Sequence, residues 1–225
     1  MPNRDVPVLR WVRPPQQARS QETLHRILDA AEVLVAEKSF EDASVSEIVR
    51  RANSSVGAFY ARFEDKDALL RALSERFVDQ AMATADAALD PARWERATIS
   101  QILRSVVRFL VSVYRERAGL IRAFVIRNHT DLDFRARQSR LSLHVKSRVC
   151  DLLLDRVGEI RHPDPERAVR FGITLVIGAL EHMVLFGELR SSSLALSDDE
   201  FAEELARAYL SYLGVEETLS LRWRA

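Results

Sequence analysis

Helix breakers are scarce in this chain. Its 225 residues include seven glycines and seven prolines, and four of the prolines (Pro2, Pro7, Pro14, Pro15) fall within the first fifteen positions. The remainder is nearly free of residues that interrupt a helix, which points to an all-α fold. Cysteine occurs once, at Cys150, so neither an internal disulfide framework nor a cysteine-rich metal site is available. Its place in an apolar helical run suits an inert buried thiol. The formal net charge is zero, which argues against a bulk polyanion binder but not against a local basic patch. No uninterrupted run of about 18 apolar residues is present, so no membrane span and no membrane partner are expected. The N-terminal arginines adjoin no apolar stretch or cleavage pattern, so no secretory leader is read and a cytoplasmic, reducing setting is expected. The five histidines, at positions 25, 129, 144, 162 and 182, contain no i, i+4 pair for a metal. No His-Glu-x-x-His motif, glycine-rich phosphate loop or nucleophile elbow occurs. An enzyme is therefore not expected, and neither is a cofactor.

Apolar residues make up 47% of the chain, enough for a sizeable core. Residues 1–19 read as a flexible basic arm, with Arg4, Arg10, Arg13 and Arg19 against Asp5. Ser20 is a plausible N-cap for a first helix to about Lys38, whose Leu24, Ile27, Leu28, Ala31, Leu34 and Val35 recur at three- and four-residue spacing. Ser44-Val45-Ser46-Glu47 fits a capping box opening a second helix to Ala52. Asn53 suits the left-handed conformation that ends many helices. Ser55 caps a third, short helix over 55–62, and Asp65 a fourth that runs to Leu89 before Asp90-Pro91. Further helices are expected at about 93–117, 119–128, 130–157, 165–189 and 197–213, with Asp164 and Ser197 as caps and Pro165 in a first turn.

The second and third helices, joined by a tight turn and backed by the first, match a helix-turn-helix. A reading helix must enter a major groove about 12 Å wide, and eight residues span about 12 Å at 1.5 Å each. Such a helix is not stable alone, so Phe59 and Phe63 are expected to anchor it. That leaves Ser54, Ser55, Gly57, Ala58, Ala61 and Arg62 outward. Glycine inside a helix costs about 1 kcal/mol relative to alanine, a cost that makes sense if a side chain at Gly57 would collide with a groove wall. Residues 1–63 carry nine basic and eight acidic side chains, so a positive face must come from placement rather than composition.

The stretch TLHRILDAAEVLVAEKSFEDASVSEIVRRANSSVGAFYARFEDKDALL, residues 23–70, resembles the DNA-binding domain of TetR-family transcriptional regulators. The resemblance rests on Ile27-Leu28-x-Ala30-Ala31, Phe40, Val45-x-x-Ile48, Ala52, Ser55-x-Gly57, Phe59-Tyr60-x-x-Phe63 and Lys66-x-x-Leu69, in ungapped register. Ser39 and Asn53 stand where the family usually has glycine, Val56 where it commonly has a basic residue, and Arg62 where it has histidine. The resemblance implies that Ser44, Tyr60, Arg62 and Lys66 hold DNA phosphates and that Ser54, Ser55, Val56, Gly57 and Ala58 face base edges. Arg13 and Arg19 would add arm contacts. It divides the chain into an arm (1–19), a helix-turn-helix domain (20–66) and a helical ligand-binding and dimerisation domain (67–225).

The 169–186 stretch is apolar nearly all round, as expected either of a helix central to the core or of one with a face on its own domain and another on a partner chain. By resemblance, this helix and the last one form a homodimer interface, drawing on Phe171, Val176, Leu180, Glu181, His182, Val184, Leu205, Tyr209 and Tyr212. The polar pair Glu181-His182 would serve as an interface hydrogen bond, a ligand contact or a titrating switch; the interface is preferred. Phe77, Phe109, Tyr114, Phe124 and His144 are candidates to line a pocket for a small hydrophobic or aromatic effector, and His129 is a further one. The expected function is a ligand-responsive repressor that binds a pseudo-palindromic DNA operator as a dimer. The competing reading is a helical ligand- or protein-binding module whose DNA-reading head has decayed.

Overall fold

A computed structural model of the chain describes residues 18–187 and 196–216. Nine α-helices and no strand occur among them: α1 (Ala18–Glu37), α2 (Val45–Arg51), α3 (Val56–Tyr60), α4 (Lys66–Ala88), α5 (Ile99–Glu116), α6 (Ala118–Thr130), α7 (Leu132–Leu154), α8 (Pro165–Phe186) and α9 (Asp198–Leu213). The all-α expectation is met. The arm, Arg13 included, and the side chains of Arg19 and Ser20 lie outside the described residues.

Several helix ends are set by the side chains that the sequence singles out. Ser44 and Glu47 form the reciprocal capping box at α2, Ser197 and Glu200 the one at α9, and Asp164 with Pro165 opens α8. Asn53 has φ +47°, the left-handed conformation expected where α2 ends. Several boundaries differ from expectation. Pro91–Trp94 form a 3-10 turn, held by the Asp90 carboxylate accepting from Ala92 N–H at 3.0 Å and by the Trp94 indole donating to the Ala88 carbonyl at 2.8 Å. The next helix therefore starts at Ile99, where Thr98 and Gln101 cap each other's backbone N–H groups. The seventh helix opens at Leu132 under an Asp131 cap, its carboxylate accepting from Phe134 N–H at 2.9 Å, and ends at Leu154 before a 3-10 turn over Val157–Glu159. The eighth stops at Phe186 because Gly187 takes φ +66°.

The described residues pack as two compact units, divided at 83/84, 116/117 and 141/142. The first contains α1–α3, most of α4, all of α6 and the start of α7. Its core is continuous: Leu24, Ile27, Leu28 and Val35 of α1, Ile48 of α2, Phe59 of α3, Phe63 just after it and Leu69 and Leu73 of α4 share one buried cluster with Leu120 and Phe124 of α6 and Phe134 of α7. Two guanidiniums brace it. Arg76 of α4 pairs with Asp29 and Glu32 of α1 at 2.6 and 2.7 Å, and Arg117 reaches Glu32 at 2.7 Å.

In the second unit α5, α8 and α9 pack on one another. Gly172 of α8 lies so close to Tyr209 of α9 that a Cβ there would overlap the phenol ring, and the Tyr209 hydroxyl donates to the Val169 carbonyl. Charged pairs from α5 to α9 (Arg104 with Glu203, Arg115 with Asp198) edge this contact. By length and composition α8 could cross a membrane, but its inward residues, Val169, Ile173, Val176 and Leu180, are buried in protein as in a core helix.

Candidate nucleic-acid interface

Helix α3 has five residues, well below the length at which an isolated helix persists in water. Two devices hold it. The Ser55 side chain accepts from Ala58 N–H at 3.1 Å, a cap worth about 1 kcal/mol. Phe59 and Phe63 are wholly buried, with ring centroids 5.1 Å apart, as expected of anchors. The tight turn before α3 is closed by Asn53 N–H donating to the Arg50 carbonyl at 3.2 Å and Ser54 N–H to Val49 at 2.8 Å. The outward side then consists of Ser55, Val56, Gly57, Tyr60 and Ala61, all exposed, with Ser54 and Ala58 half-buried. A Cβ built on Gly57 would meet nothing nearer than the Ser55 hydroxyl at 3.9 Å. The fold itself therefore does not need glycine here.

The residues expected to hold phosphates are less uniform. Tyr60 stands 51% exposed, edge-on to the Phe59 ring. Ser44 is exposed, but its hydroxyl donates to Glu47 at 2.7 Å within the capping box. Arg62 is half-buried and donates to the Ala58 carbonyl at 2.7 Å; burial, then the neighbouring Arg26 charge, push its pKa down. Lys66 donates to the Glu41 carbonyl at 2.8 Å and sits 4.7 Å over the Phe40 ring, and burial lowers its pKa. It braces the α1–α2 connection as well as standing at the head of α4. Arg26 is the residue that sequence reasoning passed over. It is exposed on α1, donates to the Thr23 hydroxyl at 3.2 Å, and its charge adds to burial in lowering the Arg62 pKa. Its polar position in the α1 pattern was the available signal. Lys38 and Arg51 are committed elsewhere, to Glu47 and Glu37, each at 2.6 Å. The Glu47 carboxyl is held down to about 2, first by Lys38 and then by Ser44.

The five residues expected to line a ligand pocket divide between the two units. Phe77 and Phe124 are in ring contact at 5.6 Å inside the first unit, and Phe124 also meets Phe134 at 5.8 Å. The others lie in the second unit. There Phe109 is exposed, Tyr114 is pushed well above the usual phenol range by burial and the Glu181 charge, and His144 bonds Asp86 at 2.9 Å. Two open concavities among the described residues are lined mainly by charged side chains. One, about 490 Å³, is lined by Arg71, Arg127, Thr130, Asp131, Leu132 and Asp133; the other, about 410 Å³, lies between α5 and α9.

Of the residues expected at a dimer interface, Val176, Leu180, Val184 and Tyr209 are buried within their own unit and are core rather than surface. Glu181, Leu205 and Tyr212 are half-buried. Phe171 and His182 are exposed, and with Leu175, Gly178 and Phe186 they form one exposed stripe along α8.

Residues 27–73 match the family model described as bacterial regulatory proteins, tetR family. An uncharacterised HTH-type transcriptional regulator of Bacillus subtilis (strain 168), YvdT, is 40% identical over 53 residues, 24% of this chain and 27% of that protein. The chain spans about a quarter of the length of the curated relatives it matches. Among solved structures, a bacterial regulatory protein in the tetR family from Rhodococcus RHA1 superposes with TM-score 0.66 at 17% identity, over 87% of this chain and 98% of that one. The transcriptional regulator FadR from Bacillus subtilis, in complex with stearoyl-CoA, does so with TM-score 0.60 at 18% identity, over 84% and 98%. The capped, phenylalanine-anchored α3 thus lies inside a segment, residues 27–73, of the tetR-family DNA-binding type, and the described residues share the fold of those solved structures.

Proposed function

We propose that this chain is a ligand-responsive repressor that binds a pseudo-palindromic DNA operator as a homodimer. The observation that carries the DNA-reading part is α3: a helix too short to stand alone, fixed from behind by Phe59 and Phe63, with small groups and an open Gly57 outward. A decayed head would have no reason to keep an open glycine, at about 1 kcal/mol of helix stability. In this reading residues 20–66 read the operator, with Tyr60, Arg62, Lys66 and Arg26 on phosphates and arm residues Arg13 and Arg19 adding contacts. Residues 67–225 pair the subunits and sense the effector.

The exposed apolar stripe of α8, from Phe171 through Leu175 to Phe186, supports dimerisation, since contiguous apolar surface of this kind marks interaction sites. Two short reading helices on one frame gain affinity for two half-sites. The effector reading draws on FadR, which shares the fold and holds stearoyl-CoA; for this chain a small, largely apolar molecule is proposed. It must bind the DNA-free state more tightly, since equal affinity shifts nothing. Helix α4, which begins at Lys66 and carries Phe77, is the proposed transmitter.

The test is a mobility-shift titration on DNA from upstream of the protein's own coding region. Specific, salt-sensitive retardation is expected, because phosphate contacts release counterions. Retardation no stronger than that of a scrambled duplex at the same salt would favour the decayed-head reading.

A further inference from the structure

Helix α3 reads with an unusual set of side chains. From residue 54 to 61 the sequence is Ser-Ser-Val-Gly-Ala-Phe-Tyr-Ala, with no arginine, lysine, asparagine, glutamine, aspartate, glutamate or histidine. The paired hydrogen bonds that distinguish guanine or adenine in the major groove need the forked or doubly bonding groups of those residues. Of the two such side chains that flank this stretch, Asn53 stands in the turn before α3, off the helix itself, and Arg62 is drawn back onto the Ala58 carbonyl at 2.7 Å. Serine hydroxyls bond to any base edge and discriminate little. The Ser55 oxygen, moreover, already accepts from Ala58 N–H.

What remains outward is apolar. Val56 is 45% exposed at the first position of α3, and Tyr60, one turn on, is 51% exposed. A single exposed valine on a protein surface needs no explanation. Here it is the sole branched apolar group on the outward side of a helix with no other discriminating chemistry. Beside it, open space at Gly57 lets the backbone approach a groove closely. The major groove offers one apolar feature that marks a base, the C5-methyl group of thymine.

We infer that Val56 is a specificity-determining residue that packs on a thymine C5-methyl, so that each operator half-site carries a T·A pair under the first turn of α3. The inference rests on the DNA-reading function proposed above. It names the base feature that the helix selects. Tyr60, on the same side, anchors the register through its hydroxyl and is not required to discriminate.

The experiment starts from the full-length protein and a pool of random duplexes, from which preferred sites are selected. In the selected duplex each thymine is then replaced by deoxyuridine, which removes the methyl and leaves every hydrogen-bonding group. At one position per half-site the wild-type protein is expected to lose about fourfold in affinity, the worth of burying one methyl-sized group. The Val56→Ala protein, altered in both subunits, is expected to lose about the square of that factor, roughly sixteenfold, on the unmodified duplex and to be indifferent to deoxyuridine there, because the two changes remove the same contact. Val56 is exposed, so the alanine variant should keep the wild-type circular dichroism and unfolding midpoint. Deoxyuridine effects that are absent from the wild type, or identical in wild type and variant, overturn the inference while leaving the DNA-reading function standing. A pool from which no site is enriched overturns both.

Discussion

A methyl group added at Gly57 would meet nothing nearer than the Ser55 hydroxyl, and the helix around it would gain from losing a glycine. Gly57→Ala is therefore expected to raise stability by about 1 kcal/mol, read as a higher denaturant midpoint with an unchanged slope. The same change should weaken operator binding, and a leucine there should abolish specific binding while leaving helicity intact. A midpoint that falls would mean the fold itself requires glycine. Lys66 separates two roles in the same way. Its bond to the Glu41 carbonyl and its place over Phe40 are structural, whereas a phosphate contact would show in the salt dependence. If it also holds DNA, Lys66→Ala should reduce the slope of log affinity against log salt by about 1. Glu47 makes a pH prediction with a defined sign. Lys38, then Ser44, hold its carboxyl at about 2 against an ordinary 4.5. A depressed pKa stabilises the fold above the unfolded value, and that contribution is lost as pH falls from about 4.5 toward 2. Lys38→Met should move the Glu47 carboxyl, followed by carbon NMR, back toward its ordinary range; a titration still centred near 2 would remove Lys38 as the main cause.

At the level of the helices, most starts and stops were legible in the sequence because they are local chemistry. Ser44 with Glu47, Ser197 with Glu200, Asp164 with Pro165 and the left-handed Asn53 each act within a few residues. Partner choice was not legible. Periodicity says which side of a helix is apolar, not which helix it meets, so the contact between the Phe77 and Phe124 rings was not readable from their spacing. Leu120, Phe124 and Phe134 belong to the same core as the reading head for the same reason. The start of α5 moved from about 93 to Ile99 because the Trp94 indole found a carbonyl partner at Ala88, a choice made in three dimensions. The α8–α9 contact offers a test of packing. Since a Cβ at Gly172 would overlap the Tyr209 ring, Gly172→Ala is expected to destabilise the protein by roughly 1–3 kcal/mol, the usual cost of overpacking. Tyr209→Phe should cost about 1 kcal/mol through loss of its bond to the Val169 carbonyl. Chemical denaturation of the two variants checks both, and an unchanged midpoint for Gly172→Ala would show that α8 and α9 part without cost.

For the whole molecule the outward stripe of α8 sets the expectation. Phe171, Leu175 and Phe186 are among the most exposed large apolar side chains in the second unit, while Val176, Leu180 and Val184 turn inward. Replacing Phe171 and Leu175 together by glutamate is expected to give folded monomers by light scattering at micromolar concentration, because neither side chain supports its own core. Wild-type protein already monomeric under those conditions would contradict the dimer. Sensing makes a linked demand: any small molecule that lowers operator affinity must bind more weakly, by the same factor, when operator is present. Both the half-site and the sensing readings depend on the chain reading DNA. The measurement that bears on it most directly is the ratio of affinities of the full chain for a duplex selected from a random pool and for a scrambled duplex of equal length, at one fixed salt concentration. The expected ratio is at least about 10³, the usual lower bound for specific over non-specific binding; a ratio near one would contradict it.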